Sequence, residues 1–154
     1  MKIGVGWILG IIGGILALVG SFLPWINVNN PSGAPTVFAG AAIPILGWLF
    51  LIFALLGLIM VAIPNKITAI LGMVFGILAL VFGLITMALT SLIAGLVGAS
   101  GTGYSVAIGY GAYLSLVGAI LLIIGGPLAY SEWKKKAAAA APAMMMPPPM
   151  APPP

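Results

Sequence analysis

Apolar residues run along this chain in long unbroken stretches, without the strict alternation of a half-buried strand. Four stretches stand out: residues 3–23, 43–63, 67–89 and 110–130, the third keeping its apolar character toward residue 96. A hydrocarbon core of about 30 Å needs about 20 apolar residues of helix to cross it. Each stretch meets that length, and none alternates polar with apolar residues as the strands of a membrane barrel do. The pattern predicts an all-α polytopic membrane protein. A four-helix transmembrane bundle fills residues 1–133, and a cytoplasmic tail rich in Lys, Ala, Met and Pro fills 134–154. Lys2 ahead of the first stretch imitates a secretory signal, but the run outlasts an h-region of about 7–15 residues and reads as a retained helix.

Composition sharpens this picture. Hydrophobic residues make up 63% of the 154 positions and charged ones 4%, so a water-soluble surface cannot be built. The few charges set an orientation. Lys2 precedes the first span, Lys66 lies between the second and third, and Lys134, Lys135 and Lys136 follow the fourth. With four crossings, all five lysines fall on one side, and the two opposite loops carry no charge. The excess of lysine marks the cytoplasmic side, so both termini are expected there, in the plasma membrane. The same lysines suit anionic headgroups. Aromatic residues divide accordingly, with Trp7, Tyr130 and Trp133 expected at the inner interface. Phe22, Trp25, Trp48, Tyr104, Tyr110 and Tyr113 are expected toward the outer one.

Small residues form stripes along the spans. In the third, Thr68, Gly72, Gly76, Ala79, Gly83, Thr86 and Thr90 recur at intervals of three or four. The first has Gly6, Gly10, Gly14, Ala17 and Ser21; the fourth has Gly111, Ser115, Gly118 and Gly125, with Leu122 interrupting. The second is poorest, with Gly47, Ala54 and Gly57. In lipid, helices gain nothing by hiding leucine from water, so small residues that allow close approach mark the helix contacts. A period near 3.5 predicts a left-handed bundle. Packing within one bundle is the first reading of these stripes; contact with another subunit, or a solute path, are the alternatives. Residues 8–19 also match residues 70–81 at nine of twelve positions, as a duplicated helical hairpin would.

The loops add detail. Ile26, Asn27, Val28 and Asn29 alternate, Asn30-Pro31-Ser32-Gly33 suits a type I turn, and Thr36-Val37-Phe38 can return, so a small extracellular β-hairpin is expected there. The glycine-rich segment 95–103 lacks the lysine of a phosphate cradle and reads as a flexible or re-entrant connection. Gly125-Gly126-Pro127 is expected to kink the fourth span, and residues 137–141 to prolong it as far as Pro142. The Met- and Pro-rich end reads as extended or disordered, a strand for a proline-reading partner.

Four spans, cytoplasmic termini, an outer loop opening with Pro24-Trp25 and a fourth span opening with Gly109-Tyr110-Gly111-Ala112-Tyr113-Leu114 resemble small prokaryotic four-span membrane proteins. More distantly they resemble the claudin-like tetraspans. The loop cysteines and the Gly-Leu-Trp of claudins have no counterpart here, so no residue inherits a role. The chain has no Cys, His or Arg, and Glu132 is its single acid. That inventory holds no metal-ligating cluster, no activated nucleophile and no acid–base pair, so no catalytic residue, metal or cofactor is expected. Nor is nucleic acid an expected partner. The expected function is a non-catalytic accessory or structural subunit of a membrane or envelope assembly, in contact with other membrane proteins or with itself. The alternative is a pore, a holin-like protein or a permease for small neutral solutes.

Overall fold

The computed structural model describes residues 4–144 apart from positions 32, 34, 44, 64 and 102, with side-chain surroundings as far as residue 139. Lys2 and the Met- and Pro-rich residues 145–154 lie outside the described residues. In chain order the elements are α1 (Val5–Phe22), β1 (Pro24–Asn29), β2 (Thr36–Ala39), a single 3-10 turn (Gly40–Ala42), α2 (Leu46–Ala62), α3 (Lys66–Ala99), β3 (Ser105–Ile108) and α4 (Tyr110–Met144). The protein is mostly helical, as the unbroken apolar runs require. Three helices, α1, α3 and α4, are long and apolar enough to cross a membrane. The remaining helix, α2, is equally apolar but has 17 residues, about 26 Å at 1.5 Å per residue.

Each helix packs antiparallel on its chain neighbours, and α4 closes back on α1. The order around the bundle is therefore α1-α2-α3-α4, with α1 and α4 in the most extensive contact. Asn65 and Thr68 hold the tight turn between α2 and α3. The Thr68 hydroxyl donates to the carbonyls of Ile63 at 2.6 Å and Asn65 at 3.0 Å. Thr68 thus serves the turn, and Ala69 takes its expected place in the buried stripe.

Several boundaries differ from the sequence reading. The helix outlasts the apolar stretch expected at residues 67–89: α3 continues to Ala99, about 51 Å long. The segment 95–103, expected as a flexible or re-entrant connection, holds the last turn of α3 as far as Ala99, and beyond it Gly101 and Gly103 take φ of 66° and 75°. Only glycine adopts that left-handed backbone readily. The chain then enters β3, which the sequence reading lacks. β1 pairs antiparallel with β2 on one side and β3 on the other, so the expected hairpin is the edge of a three-stranded sheet, β2-β1-β3. At the opposite end α4 runs through Pro127 and past residues 134–136 to Met144, so the tail begins as helix.

Candidate functional site

Among the described residues no group of three or more His, Cys, Asp or Glu could hold a metal ion, and the features that stand out are how the helices meet and how the sheet closes one end. The closest approach is between α1 and α4. A methyl group added at Gly13 would lie 2.5 Å from the Leu122 backbone nitrogen and 2.7 Å from the Gly118 carbonyl oxygen. One added at Gly125 would lie 2.5 Å from the Gly10 nitrogen, and one at Gly111 would lie 2.7 Å from the Leu23 carbonyl carbon. Gly6 meets the backbone of Leu128 and Ala129, Gly20 meets Ser115 and Gly111, and Gly118 meets Gly13 and Ala17. Two glycine ladders with seven-residue steps therefore face each other, Gly6-Gly13-Gly20 on α1 and Gly111-Gly118-Gly125 on α4. Such contact is available only to glycine, because any Cβ would enter the partner backbone.

The stripe expected on α1 divides between two neighbours. Gly6 and Ala17 face α4, Gly14 receives Leu58 of α2, and Gly10 lies between the two neighbours, receiving Val61 of α2 while its backbone nitrogen and Cα lie against Gly125 of α4. Gly13 and Gly20, absent from that expected stripe, carry the α4 contact with Gly6. Their seven-residue spacing was the signal available for them.

On α3 the buried residues are Ala69, Gly72, Gly76, Ala79, Gly83, Thr86 and Thr90, a strict alternation of three and four. Larger side chains fill its notches. Val61 of α2 sits between Gly10 and Gly72, and Leu122 of α4 sits between Gly57 and Gly76. Leu122, which breaks the small-residue run on α4, is thus the fully buried knob that the other helices' glycines admit. Leu116 and Phe50 close on Gly83. Phe53 stacks between Phe75 and Phe82 at 6.2 and 5.5 Å. The hydroxyls of Thr86, Thr90 and Ser91 donate to the carbonyls of Phe82, Thr86 and Met87 at 2.8, 2.9 and 3.0 Å, one helical turn back. They are committed to their own helix.

The sheet closes the end of the bundle near the α1 C-terminus. Trp25 is its anchor, 2% exposed and packed inside the protein. Its Nε1 donates to the Gly20 carbonyl at 2.9 Å, and its ring meets Phe50 edge-on at 5.1 Å. Gly40 lies flat on the indole, where a Cβ would stand 2.5 Å from ring atoms. Trp7 is likewise buried.

The far end holds the charges. Glu132, which has no evident partner in the sequence, accepts a hydrogen bond from the Gly6 N–H at 3.3 Å through Oε1. A carboxylate there meets the positive end of the α1 dipole and one of its unsatisfied donors. Its Oε2 is buried with no hydrogen-bond partner. Lys66 Nζ stands 6.0 Å from the ring centroids of Tyr130 and Trp133, which stack on each other at 6.5 Å. Lys134, Lys135 and Lys136 lie on the exposed extension of α4.

No protein-family model matches the chain, and no curated protein matches it either.

Proposed function

We propose that this is an integral membrane protein whose four helices all cross the bilayer, and that it acts as a non-catalytic accessory or structural subunit of a membrane assembly. The observation that carries the reading is a filled bundle axis. Val61, Leu122, Phe50 and Ala54 are fully buried between the helices, and Trp25 closes the sheet end. Filled notches favour a packing role over a solute path, as does the engagement of the one carboxylate by the α1 N-terminus. Coupled transport usually needs an ionisable group facing such a path. At 17 residues, α2 is at the short end of the length that spans a bilayer. The heptad spacing on α1, α3 and α4 favours a left-handed twist. In this reading the chain stands beside the small four-span membrane proteins that its topology resembles. Its partners are lipid, other membrane-protein subunits or a second copy.

Purified protein in liposomes is expected to pass ions and small neutral solutes no faster than empty vesicles do. In native membrane extracts it should migrate with other membrane proteins or as a homo-oligomer. Reproducible flux that bulky residues at Thr86 or Thr90 abolish would overturn the reading in favour of a pore.

The lysine excess supports an orientation with both termini in the cytoplasm and the sheet outside. With no native cysteine, single replacements test this cleanly. An impermeant thiol reagent on intact cells should label Ser100→Cys and miss Asn65→Cys. The opposite pattern inverts the topology.

A further inference from the structure

Between the sheet and the outer part of α3 lies an apolar cavity of about 410 Å³. Ile26 and Val28 of β1, Phe38 of β2 and Val106 of β3 form its roof; Ala42, Ile43, Thr90 and Ile93 form the rest. The volume falls within the range of small-molecule sites. Its one polar side chain, Thr90, already donates its hydroxyl to the Thr86 carbonyl. A water inside would find too few of the two to four polar partners it needs, and apolar cavities of this kind take apolar guests.

Two observations say which guest. First, the cavity opens onto the lipid-facing surface. Ile85, Leu89 and Ile93 are exposed and four residues apart, so they form one row up α3 that ends at the cavity, where Phe38 is also exposed. Thr90 stands about 36 Å along α3 from Lys66, between the roughly 30 Å of the hydrocarbon core and the roughly 40–45 Å of the bilayer with its headgroups. Second, no lysine, arginine or histidine occurs anywhere in residues 24–42 or 91–109. A free fatty acid would bring a carboxylate to a mouth with no cation to meet it. A chain attached to a headgroup left at the interface needs none.

We propose that this cavity holds one acyl chain of a phospholipid from the leaflet on the sheet side. The proposal rests on the membrane-spanning reading above and adds to it a defined lipid site under the sheet. The chain enters along the Ile85–Leu89–Ile93 row and packs beneath β1, while the headgroup stays outside.

The test uses the full chain reconstituted in phosphatidylcholine vesicles containing a small fraction of phosphatidylcholine with a photoactivatable diazirine on one acyl chain. After irradiation, peptide mapping should find adducts on Ile26, Val28, Phe38 or Val106 at several times the level on belt residues such as Ile59, Ile77 and Ile124. Ala42→Phe, at an exposed position on the cavity wall, should lower the cavity adducts at least fivefold and leave the belt adducts unchanged. Val106→Trp, filling from the roof, should do the same, so one misfolded variant would not decide the outcome. Cavity adducts no more frequent than belt adducts, or unchanged by both fillings, overturn the proposal while leaving the membrane reading intact. Absence of adducts on belt and cavity alike overturns the membrane reading itself. Stronger cavity labelling by a free diazirine fatty acid, or cross-links joining two copies through the cavity, would overturn the acyl-chain proposal alone.

Discussion

Gly13→Ala is expected to lower the stability of the folded protein by about 2 kcal/mol, although alanine is the better helix former. The added methyl would stand 2.5 Å from the Leu122 backbone nitrogen, an atom that moves only if α4 moves. Gly118→Ala should cost a similar amount. Because Gly13 and Gly118 each face the other's carbonyl, the two changes separate the same helix pair. The double variant should therefore cost clearly less than the sum of the singles. Gly95→Ala supplies the opposite sign. No atom lies within 4 Å of a Cβ built there, so only the helix-propensity gain of roughly 0.5–1 kcal/mol remains. Unfolding by titration with a denaturing detergent ranks the three. If Gly13→Ala proved as harmless as Gly95→Ala, close α1–α4 contact would not be what holds the bundle together.

Trp25→Ala should be the more damaging single change, costing about 3–5 kcal/mol by loss of buried ring volume. The indole joins α1, the Gly40 turn and α2, so its removal opens a void under all three at once. Trp25→Phe keeps much of the ring but loses the donor to the Gly20 carbonyl, and about 1 kcal/mol is expected from that. Amide hydrogen exchange separates local from global damage. In Trp25→Ala the β1 amides should lose protection well before those in the middle of α3. Equal loss along the whole chain would mean that Trp25 supports the bundle and not the sheet alone.

Much of this architecture is legible in one dimension. Residue type along the chain is enough to mark helices for lipid, because 20-odd apolar residues in a row have no stable home in water. The β1–β2 hairpin follows from local alternation and turn residues. Strand β3 does not, since Ser105-Val106-Ala107-Ile108 is too short and mild a pattern to announce itself beside a glycine-rich run. Its partner, β1, lies about 80 positions earlier in the chain. The full length of α3 is not legible for a related reason. Apolar and small residues continue past residue 89, and the extension becomes useful only because β3 packs against it.

The sequence by itself determined that the chain is helical, apolar and charged at one end, and that small residues govern its contacts. Those properties depend on composition and spacing, which every copy of the chain carries whether folded or not. Tertiary structure alone decided which glycines meet which helix. Gly13 and Gly14 are neighbours in the chain, yet one touches the α4 backbone and the other receives Leu58 from α2. It also decided that Trp25 is a buried anchor and that Glu132 caps a helix 126 residues away. The physical reason is rotational. A helix with apolar residues on every side has no polar face to fix its rotation about its axis. That rotation is set only when the backbones come close enough for a single methyl group to matter.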